Sequence, residues 1–295
     1  MDILVTGSTG FIGSKLCQVL GADKQNEIFS LERPEHPERD GITAIKWDLS
    51  KPIDTSNLPK KIDAVVHLAL ARDFRRFPEG VTDLFAVNVR ATSELLEYAR
   101  ISGASRFFMA STGNSYAPDQ GLGVGDVPVP PNDFYTASKL AAEALTRPYQ
   151  SCFNVNILRA FFPYGPNQDA KMIQRMIANI QAGEPIAIAQ GLDGGGDQLS
   201  LIYVDDLVQT IAQSLNESWN GLFDVAAPEI LSVRQIATEI GRQLDIAPVF
   251  EDADIPAKKL IANLDPMKEK GTMNFRSFAE GLSILLSQQL PFKAP

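Results

Sequence analysis

VTGSTGFIGSKL, residues 5–16, passes from apolar residues through three evenly spaced glycines, Gly7, Gly10 and Gly13, and resumes with helical spacing. Each glycine costs backbone entropy, so something must require the bare backbone there. Ile3-Leu4-Val5 reads as a buried strand, and Ile12, Leu16, Val19 and Leu20 share one face of a following helix. A strand, a glycine-rich turn and an amphipathic helix form the setting that binds a dinucleotide. Gly7 allows a tight turn, Gly10 lets a pyrophosphate approach the backbone, and Gly13 lets helix and sheet pack closely. Open N–H groups and the positive end of the helix dipole then hold the phosphates. Thr9, Phe11 and Ile12, in the same turn, count with the glycines as cofactor-binding residues. The Gly-x-x-Gly-x-x-Gly spacing is one residue longer between its first two glycines than the usual fingerprint.

Outward from this turn, short β-branched runs alternate with helical patterns. Strands are expected at 28–31, 43–47, 64–68, 106–110 and 155–158, with helices over about 81–102 and from Phe134 to before Pro148. That alternation predicts an α/β fold with a doubly wound parallel sheet, a Rossmann architecture whose ligand loops follow the strands along one edge. After Pro163 the pattern changes to loops rich in Gly and Pro, such as YGPNQD and GLDGGGDQ, around shorter helices. The expected division is a dinucleotide-binding domain over 1–165, with a returning strand near 222–225, and a smaller substrate-binding lobe over 166–295.

Composition narrows the partners. The 295-residue chain carries a formal charge of −9, which argues against nucleic acid or an anionic membrane. Its two cysteines, Cys17 and Cys152, read as reduced core residues, and with two histidines and no cysteine pair no metal site is expected. No apolar run reaches the length of a membrane span, and no targeting pattern precedes the first strand, so a cytoplasmic location is expected.

Two further constellations carry chemistry. Glu32 ends the second strand 19 residues past Gly13, where a carboxylate can hydrogen-bond the ribose hydroxyls of NAD. Arg33 beside it would instead suit the 2′-phosphate of NADP; the reading favours NAD and leaves NADP open. In YTASK, Tyr135 and Lys139 stand at i and i+4 on one helix face. A phenol with pKa about 10 is a poor base at neutral pH, but a nearby ammonium favours its phenolate. Ser111 and Thr112, at the end of the fifth strand, offer hydroxyls to a substrate oxygen.

These residues resemble the extended short-chain dehydrogenase/reductase superfamily, in its NAD-dependent epimerase/dehydratase branch. The resemblance covers nearly the whole chain. It rests on TGSTGFIG (6–13), WDL (47–49), HLAL (67–70), NVRAT (88–92), STGNSYA (111–117), YTASK (135–139), LRAFFPYGP (158–166) and IYVDDL (202–207). It implies Tyr135 as catalytic acid/base, Lys139 as the residue that binds the nicotinamide ribose and tunes the tyrosine, and Thr112 as the contact to the reacting oxygen. Ser111 is counted with the cofactor residues. Asp48 and Leu49 would lie by the adenine, and Leu68, Ala69 and Leu70 would line the cofactor cleft. Asn88 is implied to be structural, and His67 reads as a packed core residue.

The chain also departs from the family. Members that dehydrate sugar nucleotides carry an Asp-Glu pair after the catalytic threonine, where this chain has Gly113 and Asn114, so dehydration of that type is disfavoured. Nucleotide-sugar epimerases place an asparagine and an arginine where this chain has Phe162 and Leu199. A lost guanidinium weakens a diphosphate site unless another cation replaces it, and Lys171 and Arg175 are the candidates. The expected function is hydride transfer at a secondary alcohol carbon of a small-molecule substrate, an epimerase-like reaction on a nucleotide sugar. The alternatives are an NADPH-dependent reductase or dehydrogenase of a non-nucleotide carbonyl or alcohol, and a non-catalytic dinucleotide sensor. A homodimer is implied by the resemblance alone.

Overall fold

In the computed structural model, residues 1–72, 74, 76–113, 133–168, 171–271 and 274–288 are described. The chain divides into two compact units. The first comprises the described residues of 1–113, 133–159 and 208–223, and the second those of 160–207 and 224–288. The helix and strand between 208 and 223 thus return to the first unit, a longer return than the strand expected near 222–225.

A seven-stranded sheet organises the first unit. Its strands are β1 (Asp2–Thr6), β2 (Glu27–Glu32), β3 (Ile42–Lys46), β4 (Ala64–His67), β5 (Arg106–Thr112), β6 (Asn154–Ala160) and β7 (Gly221–Val225). They lie in the order β7-β6-β5-β4-β1-β2-β3. The ladders from β3 through β2, β1 and β4 to β5 are parallel, with Val5 opposite Ser30 on one side and Val66 on the other. Central strands of such a sheet are covered on both faces and read as unbroken apolar runs. Ile3, Leu4 and Val5, and Ala64, Val65 and Val66, are fully buried accordingly. Each such Val, Leu or Ile contributes on the order of 1.5–3 kcal/mol by burial.

Helix α1 (Phe11–Ala22) follows the glycine turn and buries Gly13, Leu16, Cys17 and Leu20. The long helix expected over 81–102 forms as α2 (Val81–Phe85), one π turn over Ala86–Arg90, and α3 (Ala91–Ile101). Asn88 lies in that π turn, 1% exposed, and its amide donates to the Ser138 hydroxyl at 2.9 Å. Helix α4 (Phe134–Thr146) packs beside it, so Asn88 joins two helices. Cys17 is buried, but Cys152 is exposed, which corrects its assignment to the core.

The second unit has its own core of Ile173, Ile177, Ile180, Ile188, Leu199, Ile236 and Leu282, among others. Helices α5 (Met172–Ala182), α6 (Val204–Asn216, shared with the first unit) and α7 (Val233–Leu244) alternate with short strands. Strand Gln198–Ser200 pairs antiparallel with Ile230–Ser232 and parallel with Lys259–Leu260. A reciprocal cap between Ser232 and Gln235 starts α7. Among the described residues no helix is long and apolar enough to cross a membrane.

Candidate active site

The glycine turn shows why its glycines are needed. Gly7 has φ +72°, a left-handed conformation, and a Cβ there would lie 2.7 Å from the Ala69 backbone nitrogen. A Cβ on Gly13 would collide with the Gly7 carbonyl oxygen and stand 2.9 Å from the Ser8 Cα. Gly10 donates to the Gly7 carbonyl at 3.0 Å and caps α1 with no side chain, leaving the first-turn N–H groups open. A cleft of about 320 Å³ opens in front of this turn. Gly7, Thr9, Gly10, Phe11, Ile12 and Gly13 line it. Glu32 and Arg33, Asp48 and Leu49, and Leu68, Ala69 and Leu70 line it too. The bare cradle, the open helix start and this volume fit the pyrophosphate and adenosine of a dinucleotide.

At the adenosine end Glu32 lines the cleft, with its carboxylate engaged by its neighbours. Its side chain is 2% exposed and both oxygens are occupied. Lys46 Nζ donates to Oε1 at 2.7 Å, while Arg39 at 2.5 Å and Ser30 at 2.8 Å donate to Oε2. Burial alone would raise this carboxyl, but the Lys46 and Ser30 hydrogen bonds and the Arg39 guanidinium hold it below the usual range. Glu32 is therefore a clamped anion between two cations at the edge of the cleft. Arg33 pairs with Glu35 at 3.6 Å. Asp48 accepts from the Ser50 N–H at 2.9 Å, which holds its carboxyl low.

Sequence reasoning missed several neighbours. His36 lines the cleft and reaches the Thr9 hydroxyl at 3.2 Å, and Arg39 also donates to the Ser8 carbonyl inside the glycine turn. Trp47 lines the cleft, and its indole N–H is buried with no hydrogen-bond partner among the described residues. It stood in the quoted WDL motif, so a signal was present; Arg39 and His36 follow β2 in an irregular segment that has none.

Helix α4 presents the proton-transfer residues. Asp133 caps it, accepting from the Thr136 N–H and hydroxyl at 2.8 Å each. Tyr135 is half-buried, its ring 5.0 Å from that of Phe74. Lys139 is 5% exposed and donates to the Ala110 carbonyl at 3.0 Å. Ala110 itself lines the cleft, which ties the ammonium to the cofactor side of the sheet. Burial pushes Lys139 down to about 8, partly offset by the negative charge of Glu143. Thr112, 7% exposed, ends β5. The Ser111 hydroxyl donates to Glu143 at 2.5 Å inside the unit; like Thr112, Tyr135 and Lys139, Ser111 is not among the residues that line the cleft around the glycine turn. His67 is buried as expected, with Thr6 Oγ1 at 2.7 Å from Nδ1. Burial, reinforced by the Lys139 charge, pushes it down to about 3, so it stays neutral.

In the second unit, Phe162 adopts φ +38°, a region where asparagine is tolerated and phenylalanine is strained. Lys171 precedes α5 as its half-buried N-terminal residue, and Arg175 is exposed one turn on. Leu199 is 2% exposed within that unit's core, so the arginine of the epimerases has a packed apolar side chain in its place. Gly113 is buried, and Asn114 lies outside the described residues. Among the described residues no cluster of His, Cys, Asp and Glu could hold a metal ion.

A parallel sheet with a glycine cradle on one strand end, and a tyrosine and lysine one helical turn apart nearby in the same unit, defines an enzyme of the extended short-chain dehydrogenase/reductase class. Residues 3–225 match the NAD dependent epimerase/dehydratase family, and the chain belongs to it. It is 31% identical to the uncharacterized UDP-glucose epimerase YtcB of Bacillus subtilis (strain 168), over 90% of this chain and 93% of that protein. It is 28% identical to the UDP-glucose 4-epimerase of Mycolicibacterium smegmatis, over 81% of this chain and 82% of that protein. Its fold matches the crystal structure of UDP-glucuronic acid 4-epimerase from Bacillus cereus in complex with UDP-glucuronic acid and NAD, with a TM-score of 0.83 at 23% identity. That match covers 97% of this chain and 98% of the other.

Proposed function

We propose that this protein is an NAD-dependent enzyme that transfers a hydride at a secondary alcohol carbon of a nucleotide sugar, in an epimerase-like reaction. The observation that carries the reading is Lys139, buried beside the cleft-lining Ala110 and one helical turn from Tyr135. Bound NAD supplies the hydride acceptor and donor. Gly7, Gly10 and Gly13 give the pyrophosphate access to the backbone, and the start of α1 holds its charge. Tyr135 takes the proton from the substrate hydroxyl as the carbon is oxidised, and returns it when the ketone is reduced on its other face. The Lys139 ammonium favours the phenolate, and Thr112 holds the reacting oxygen. The nearby UDP-sugar epimerases support the substrate class.

Phe162 and Leu199 favour a second reading, reduction or oxidation of a non-nucleotide carbonyl or alcohol with NADP(H). In the first reading Lys171 and Arg175 supply the missing cationic contacts to the diphosphate. A homodimer and a cytoplasmic location belong to the same proposal. The test is to release nucleotide from the purified protein by heat, identify it by mass spectrometry, and assay UDP-glucose, UDP-galactose and UDP-glucuronic acid. Retained NAD and interconversion of a UDP-sugar are expected. Readily exchanged NADPH, with turnover only of simple carbonyls, would overturn the epimerase reading.

A further inference from the structure

Two side chains one turn apart fasten α4 to consecutive residues of β5: Lys139 donates to the Ala110 carbonyl, and Glu143 accepts from the Ser111 hydroxyl. Glu143 is 2% exposed, and Arg159, also 2% exposed, grips it with two bonds, Nε to Oε1 at 2.8 Å and Nη2 to Oε2 at 2.7 Å. Arg147, largely exposed, stands 3.9 Å from Oε2. A buried ion pair recovers little net stability, because desolvation offsets its attraction. The pair therefore needs an explanation other than stability.

We propose that Glu143 is a positioning residue for the Tyr135–Lys139 pair: held rigidly by Arg159 and Ser111, it is the counter-charge that keeps a proton on the buried ammonium. The proposal rests on the acid–base reading of Tyr135. The elements packed against α4 carry Asp83 (α2), Arg90 (π turn), Glu94, Glu97 and Arg100 (α3), Arg106 (β5) and Arg147 in the following turn; neutral His67 on β4 feels the Lys139 charge, and Arg159 on β6 pairs with Glu143. Among the described residues, Glu143 is the charged group that acts on Lys139. Helical rise puts Glu143 about 6 Å along the axis from Lys139 and about 12 Å from Tyr135. Its effect on the phenol is thus mainly indirect, through the lysine. Without the carboxylate, burial discharges Lys139 at lower pH and the phenolate loses its cation.

The test is an ultraviolet difference titration of phenolate absorbance in the intact protein, with a Tyr135→Phe spectrum subtracted to isolate one phenol. Tyr98 and Tyr203 are pushed up to about 12 by burial, and Tyr164 is raised as well, so they stay out of the window. Glu143→Gln should move the Tyr135 midpoint up by about one pH unit, while Glu143→Asp should keep most of the wild-type midpoint. Glu143→Gln removes the carboxylate that Arg159 grips, so Glu143→Gln/Arg159→Gln is the companion variant, and it too should titrate high. Equal loss of thermal stability in the Gln and Asp variants with an unmoved midpoint would make Glu143 a brace only and overturn the proposal. So would a double variant with the wild-type midpoint. A wild-type protein with no Tyr135 component below pH 10 would instead remove the acid–base reading, and this proposal with it.

Discussion

Arg39 closes over Glu32 at 2.5 Å while Lys46 holds the other carboxylate oxygen at 2.7 Å, so two cations share one buried anion at the end of β2. Replacing one partner leaves the others uncompensated. Glu32→Gln should therefore cost about 3 kcal/mol at neutral pH, measured by chemical unfolding. The folded carboxyl is depressed, so its stabilisation is complete above the unfolded value near 4.5 and disappears as pH falls through the folded value. The gap between wild type and variant should accordingly narrow as pH falls below about 4.5. The same change releases Arg39 and Lys46 toward the cleft, and the affinity ratio in calorimetric titration should shift from NAD toward NADP. An unchanged ratio would show that this network does not sense the ribose.

Gly13 and Gly7 touch where a side chain has no room. Gly13→Ala forces its Cβ against the Gly7 carbonyl, so either α1 or the turn must move. Overpacking of this kind costs about 1–3 kcal/mol. The phosphate-binding backbone lies in the part that moves, so dinucleotide affinity should fall at least about tenfold. Gly21→Ala, on the same helix with open space around the site, is the control and should leave binding intact.

Tyr135→Phe removes only the phenolic oxygen from a ring that packs against Phe74. Turnover of the substrate found in the UDP-sugar assays should drop by about 10²–10⁴, with NAD affinity nearly unchanged. Full turnover in this variant would exclude the tyrosine as the proton carrier.

His67 contributes a pH dependence of its own. Its folded value near 3 lies below the ordinary 6.5, so the unfolded chain takes up a proton first as pH falls. Stability should be full above about pH 6.5 and then fall by up to about 1.4 kcal/mol per pH unit toward pH 5. His67→Gln should flatten that stretch of the profile. Parallel slopes for the two proteins would mean that His67 is not held neutral.

Elements with strong local signals matched what the residues alone suggested. The runs expected as strands at 3–5, 64–68 and 106–110 became the central strands 2–6, 64–67 and 106–112, because a parallel sheet buried on both faces needs apolar sequence. The turn at 7–13 was equally legible, since bare backbone at a strand-to-helix junction has few other uses. Tyr135 and Lys139 were legible as a pair because helical periodicity alone puts i and i+4 on one face.

What residue order could not specify was which partner each charged side chain would meet. Glu32 looked open at its strand end, yet Arg39, seven residues on in an irregular loop, folds back over it. Ser111 looked available to a ligand, yet Glu143, 32 residues away, takes its hydroxyl, and Arg159 on a separate strand takes Glu143. Periodicity reports the local face that a side chain occupies. The field it experiences is set by groups brought near by packing, whose separation along the chain bears no relation to their distance in space.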